Sequence, residues 1–261
     1  MVLQRNNVVI SGEGLRTILF SHGFGCDQHM WVQVARTFEP DFRVILFDHV
    51  GAGQSDLTAY SSAKYATLQG YADDVVEIGQ NLGLADAIFV GHSVSAMIGA
   101  LASIKAPGMF SELVMVGPSP CYIDSDGYIG GFSRDQVLEL LDFLADNHLG
   151  WSAAIAPAIM GHADRPELGT TLENSFCATD PEIAHEFAKV TFLSDNRADL
   201  SSIAARTLIL QCREDIIAPQ CVGEYVHQHI SNSQFLLLNA TGHCPNLSAP
   251  DEVAAAIRAF V

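Results

Sequence analysis

The residues of this chain whose types and spacing could do chemistry are Ser93, Asp215 and His243. Ser93 lies in Gly91-His92-Ser93-Val94-Ser95, between the apolar run 88–90 and the small, helix-forming run 94–104. A strand turning sharply into a helix there would push the serine hydroxyl off the end of a sheet. Gly91 leaves room for such a turn, and Ser95 stands where a second glycine is usual. Alone, the pentapeptide would equally suit an ordinary strand–turn–helix with a buried serine. A serine hydroxyl attacks a carbonyl only when a base takes its proton, and a carboxylate must hold that base in the right tautomer. Asp215 follows the apolar run 206–212, and His243 follows the run 234–238. If these runs are parallel strands of one sheet, all three loops open at the same edge. Glu214 is a rival acid, Asp215 could instead cap a helix near Pro219, and His243 could be a plain loop histidine. His22, His49, His92, His227 and His229 share its composition but not its position.

Acyl transfer also needs two backbone amides aimed where negative charge develops. Val94, directly after the serine, would supply one. Phe24 would supply the other, because Gly23 and Gly25 free the backbone of the loop after the run 17–21. That loop has no Gly-x-Gly-x-x-Gly and no Gly-Lys-Ser/Thr, so it does not read as a nucleotide site. Asp48, ahead of Gly51 and Gly53, reads as a turn brace. The chemistry predicted is attack by Ser93 with His243 as base and Asp215 as orienting acid, through an acyl-enzyme. No metal or other cofactor is required. Candidate pocket residues are Phe24, Ile216 and Ile217 from the loops, with Tyr122, Phe132, Phe143, Trp151, Ile155 and Phe192 from the region between 121 and 202. No Arg or Lys is placed there to clamp a charge, which favours a small, neutral, apolar ester or lactone over a peptide or phosphate.

The elements that must position these groups follow from periodicity. Apolar runs at 8–10, 17–21, 43–47, 88–90 and 113–116 read as strands, with helical patterns at 28–38, 68–82 and 94–104 between them. Alternation of strand and helix predicts an α/β fold, a mostly parallel sheet flanked by helices. From 121 to 202 no strand pattern occurs, and helices are predicted at 135–148, 151–159, 167–176 and 181–192. The organisation expected is a core of residues 1–120 and 203–261, with 121–202 inserted as a four-helix lid. The sheet resumes at 206–212, and a helix at 250–261 closes the chain.

Composition narrows the partners. A chain of 261 residues, 49% hydrophobic, can bury one large core. Thirty acidic against 13 basic residues give a net charge of −17, which repels nucleic acid and anionic membrane surfaces. The six cysteines form no Cys-x-x-Cys pair, and no apolar run is long enough to span a bilayer or act as a signal. A reducing cytoplasm and a monomer or weak dimer are the expectation.

The chain resembles the RsbQ-type branch of the α/β hydrolases, which includes the plant receptors for strigolactones and karrikins. Matching stretches are His22-Gly23-Phe24-Gly25-Cys26-Asp27-Gln28, Val44-Ile45-Leu46-Phe47-Asp48, Gly91 through Gly99, Leu113 through Tyr122, Gly130-Gly131-Phe132, Gln211-Cys212, Asp215-Ile216-Ile217-Ala218-Pro219, Tyr225 through His229, and Gly242-His243-Cys244-Pro245. Ser95 is normal for that group. The resemblance implies a triad of Ser93, Asp215 and His243, oxyanion donors at Phe24 and Val94, and a V-shaped four-helix lid over a deep apolar pocket. Ile155 stands where the plant receptors tend to carry phenylalanine, and Arg213 and Glu214 depart from the receptor-like loop. It implies two functions. One is hydrolysis of a small ester or a butenolide-like lactone. The other is ligand sensing in stress signalling, through a protein partner such as a phosphatase with a PAS domain.

Overall fold

The computed structural model describes residues Met1–Val261. Seven strands form one sheet in the order β1-β3-β2-β4-β5-β6-β7, with β1 (Val9–Ser11), β2 (Arg16–Ser21), β3 (Phe42–Leu46), β4 (Ala87–His92), β5 (Phe110–Val116), β6 (Arg206–Cys212) and β7 (Ser233–Leu238). Only β1 runs antiparallel, against β3; the other pairings are parallel. Parallel strands need crossovers, and those crossovers cover both faces of the sheet, so the central strands are apolar on both sides. Along β4, Ile88 and Val90 enter one core while Ala87 and Phe89 enter the other, and β5 and β6 divide their residues in the same way.

Helices α2 (Val32–Arg36) and α11 (Pro250–Phe260) cover the first face, through residues such as Val34, Val253 and Ile257. Helices α3 (Leu68–Leu82), α4 (Val94–Lys105) and α9 (Gln220–His229) cover the second. Leu68, Tyr71, Val75 and Ile78 bury one stripe of α3, and Gly83, at φ 64°, ends the helix in the left-handed cap that sequence spacing predicts. Short helices α1 (Val2–Arg5) and α10 (Pro245–Ser248) were not foreseen; one turn leaves too little periodicity to read. The predicted helix at 28–38 is a 3-10 turn at Gln28–Trp31 followed by α2.

Between β5 and β6 run α5 (Arg134–Asp146), α6 (His148–Met160), α7 (Pro166–Ala178) and α8 (Pro181–Leu193). Each has a local cause. Ser133 and Gln136 form a capping box at α5, Asn147 caps α6, Pro166 opens α7, and Asp180 accepts from two amides at the start of α8 ahead of Pro181. Pro157 lies within α6 without ending it, and the helix stops at Gly161 (φ 67°). The apolar faces of these helices join the core on the first face of the sheet, through Val137, Leu141, Trp151, Leu172 and Phe192. No helix is long and apolar enough to cross a membrane.

Candidate active site

The sharpest backbone feature is Ser93 itself. It joins β4 to α4 with φ 56° and ψ −124°, a conformation L-residues rarely adopt. Its amide is tied to Val116 O at 2.8 Å, which fixes the turn against β5. A Cβ at Gly91 would lie 2.4 Å from Ser95 O, so only glycine lets the helix start this close to the strand. Strain held this way is typical of a position kept for chemistry.

The loops after β6 and β7 bring the other two groups to the serine. Ser93 Oγ is 2.8 Å from His243 Nε2, and His243 Nδ1 is 2.8 Å from Asp215 Oδ2. All three residues are buried. Asp215 Oδ1 accepts from the amides of Ile217 and Ala218, at 2.8 and 3.0 Å. Burial pushes the Asp215 carboxyl upward, but His243 and these amides outweigh it, so its pKa lies below the usual value. The rival Glu214 is exposed, and its backbone carbonyl accepts from Gly242 N at 2.7 Å, which ties the acid loop to the histidine loop. His243 N donates to Ile159 O (2.8 Å) on α6, and His92 Nε2 donates to His243 O (2.8 Å). Burial lowers the His92 pKa to about 3, so that ring is neutral.

The loop that carries Phe24 is held from behind by a buried polar cluster. Ser95 Oγ donates to His22 O at 2.5 Å and accepts from Ser21 Oγ at 2.9 Å. His49 Nε2 lies 2.8 Å from Ser95 Oγ, and His49 N donates to His22 Nε2 at 3.0 Å. Desolvation lowers the pKa of both His22 and His49. Asp48 braces the neighbouring turns, accepting from Gln28 N, Gln54 N and Asn7 Nδ2. Val94 opens α4, so its amide has no partner within the helix.

A cavity of about 30 Å³ lies over the serine. Phe24, Tyr122, Phe192 and Ile217 line it, as the sequence suggests, together with Ser93 and His243. Tyr122 Oη is 3.4 Å from Ser93 Oγ, and burial raises its pKa to about 12. Phe24 is the hub of an aromatic cluster at the cavity, with ring centroids of Trp151, Phe176, Phe187 and Phe192 within 5.7–6.2 Å, of which Phe176 and Phe192 also line it.

Several pocket assignments need correction. Phe143 is 40% exposed, because α5 buries Val137, Leu141 and Leu144 and Phe143 falls off that stripe. Ile216 is 57% exposed, because Asp215 curls the chain back onto Ile217 and Ala218 and leaves Ile216 at the outer corner. Trp151, Ile155 and Phe132 pack against the core without lining the cavity. The lining residues missed are Cys26, His92, Ile159, Leu172, Phe176, Thr191 and Cys244. Leu172 and Phe176 were detectable as an i, i+4 pair on α7, and Cys26 and Cys244 adjoin predicted site segments; Thr191 carried no signal. The cavity is far smaller than the deep pocket expected. Small-molecule sites are usually about 300–1,000 Å³, so a ligand of ordinary size does not fit this cavity as it stands. A larger hollow of about 550 Å³ lies between α3, α4 and α8, lined by residues such as Tyr65, Gln69, Leu101 and Lys189, and contains none of the three chemical groups. No cluster of three His, Cys, Asp or Glu side chains is arranged to hold a metal ion.

Comparison with known proteins agrees with this geometry. A probable esterase from Oryza sativa subsp. japonica is 37% identical over 255 residues, spanning 97% of this chain and 94% of its own length. Karrikin insensitive 2 receptor CA from Petunia hybrida is 35% identical over 258 residues, spanning 97% and 94%. The solved structure of a hydrolase from Oleispira antarctica superposes with a TM-score of 0.97 at 42% identity, covering 99% of this chain and 95% of that one. Residues 18–256 match the model of the alpha/beta hydrolase family, and with an elbow serine, an acid and a histidine following successive parallel strands, the chain belongs to that family.

Proposed function

We propose that this chain is a serine hydrolase of small apolar carboxylic esters or lactones, including butenolide-like lactones, acting through an acyl-enzyme. The observation that carries this reading is the continuous hydrogen-bonded run from Ser93 Oγ through His243 to Asp215, with both links at 2.8 Å. In the mechanism, His243 Nε2 takes the Ser93 proton as Oγ bonds to the substrate carbonyl carbon. Asp215 holds the proton on Nδ1 and stabilises the imidazolium. The amides of Phe24 and Val94 receive the oxyanion. The carbon–oxygen bond to the leaving alcohol then breaks, and His243 returns the proton to that oxygen. In a lactone the alcohol stays tethered to the acyl group. Water, deprotonated by His243, releases the acid. The neutral, mostly apolar lining fits an uncharged substrate.

Residues 121–202 act in this reading as a lid over a core of 1–120 and 203–261. The six free thiols favour a reducing compartment, the cytoplasm. One observation favours a second role. A cavity of only about 30 Å³ beside the triad, lined by side chains of both the core and the inserted helices, would link ligand entry to the position of the lid. That would suit a sensor whose slow hydrolysis reports a ligand to a protein partner.

The test follows hydrolysis of a short-chain p-nitrophenyl ester and a simple butenolide, with intact mass at each time point and Ser93→Ala in parallel. Rapid turnover lost in Ser93→Ala is the expected result. A single slow burst with a long-lived adduct would favour the sensor. Neither turnover nor adduct with any ester would overturn the hydrolase reading.

A further inference from the structure

Helices α5–α8 carry five side-chain hydroxyls, and four have partners. Ser152, Thr170 and Thr171 bond back to the carbonyls of His148, Pro166 and Glu167, and Ser175 reaches Gly25 O at 2.9 Å. Bonding back to the carbonyl four residues earlier is one common way a helical serine or threonine satisfies its hydroxyl. Thr191, on α8, departs from it. Its side chain is buried, its hydroxyl has no hydrogen-bond partner, and it lines the same cavity as Ser93 and His243. Of the other polar side chains on that lining, only His92 keeps an unpaired buried atom, its Nδ1, which is an acceptor because Nε2 donates. Ser93 and His243 bond to each other, His92 holds His243 O, and Tyr122 faces Ser93. Most buried hydroxyls are satisfied, and of the three left unpaired here, on Tyr71, Thr191 and Ser248, only that of Thr191 lines the cavity, where a ligand atom could meet it.

We propose that Thr191 is a specificity-determining residue, whose hydroxyl donates to a substrate oxygen other than those of the scissile ester. The preferred substrate is then a small ester or lactone with a second acceptor oxygen, an ether or a carbonyl, on its acyl side. An ester or lactone without a hydroxyl or N–H carries acceptors only, which sets the direction of the bond. A substrate lacking that oxygen leaves the hydroxyl buried and unpaired, and the site discriminates against it. The inference rests on the serine-hydrolase reading and adds a substrate class to it.

The test uses matched pairs of p-nitrophenyl esters that differ only by that oxygen: methoxyacetate against butanoate, and levulinate against isocaproate. Comparing each pair between wild type and the near-isosteric Thr191→Val cancels their intrinsic reactivities. The expected result is a loss of about 3- to 10-fold in kcat/KM on at least one oxygenated ester with its alkyl partner unaffected, the scale of one hydrogen bond. The melting temperature should stay level or rise, because an unpaired buried hydroxyl has been removed. Equal changes on both members of each pair, or a lowered melting temperature, would overturn the proposal. In a Ser93→Ala background the same esters, left intact, are compared by thermal shift with and without Thr191→Val. A preference for the oxygenated member that depends on Thr191 supports the subsite even where turnover is absent. Its loss while wild type turns over both esters removes the subsite and leaves the hydrolase reading standing.

Discussion

Ser95→Ala tests how the oxyanion loop is held. The Ser95 hydroxyl donates to His22 O (2.5 Å) and accepts from Ser21 Oγ (2.9 Å) and His49 Nε2 (2.8 Å), all buried. Alanine removes these bonds with little change in volume. Ser21 and His49, 3.1 Å apart, still satisfy each other. The His22 carbonyl is left alone, two residues before Phe24. A lost hydrogen bond is worth roughly 1 kcal/mol and a stranded buried carbonyl about 1–3 kcal/mol, so the change should cost about 2–4 kcal/mol. For a chain of this size that corresponds to a fall of roughly 5–15 °C in melting temperature. Because the freed carbonyl lies in the segment that aims the Phe24 amide, kcat on a p-nitrophenyl ester should drop on the order of 10-fold with KM little changed. Differential scanning fluorimetry and steady-state kinetics read both. A Ser95→Ala protein that melts within about 1 °C of wild type and keeps its kcat would refute the reasoning.

Two further outcomes follow from burial. His22, His49 and His92 are neutral in the fold with lowered pKa values, whereas the unfolded chain protonates them near pH 6.5. Their contribution is therefore present at neutral pH and lost as pH falls below the unfolded value. Between pH 7 and 5.5 the loss is at most about 1.2 kcal/mol per histidine, or about 4 kcal/mol together; urea titrations at the two pH values should show it, and equal midpoints would contradict it. Phe176, buried between Phe24 and Trp151, closes the cavity. Phe176→Ala should cost about 3–5 kcal/mol and move the optimum of an ester chain-length series toward longer acyl groups, and an unchanged optimum would show that Phe176 does not set pocket depth.

What could be read from the sequence was whatever depends on chain order. Ser93, Asp215 and His243 each follow an apolar run, and parallel strands deliver such loops to one edge whatever the helices do. Strand and helix alternation is likewise local, so α3 and its Gly83 cap, or α8 behind Asp180 and Pro181, could be located before any packing was known. The cavity lining was less legible because it depends on how each inserted helix is rotated. Phe143 and Phe176 are both phenylalanines on amphipathic helices, yet one faces water and the other faces Ser93. Ile216 and Ile217 are adjacent and chemically alike, and a two-bond turn made by Asp215 sends them to opposite sides. Ser95 showed only that the second elbow glycine was missing. Its three partners come from Ser21, His22 and His49, on segments whose proximity only the sheet order creates.

The small cavity bears on whether turnover and sensing are separate functions. A ligand larger than a water or two does not fit the cavity as it stands, and Phe24, Phe176 and Phe192 on its lining bridge the core and the inserted helices. The open form must therefore be better bound than the closed one, and ligand occupancy shifts the population between them. The acyl group on Ser93 prolongs that occupancy for as long as water is slow to reach it. His243 is also attached to the insertion, since its amide bonds to Ile159 O on α6. Movement of α6 thus acts on the base as well as on the entrance. That one backbone hydrogen bond ties the base directly to the inserted helices.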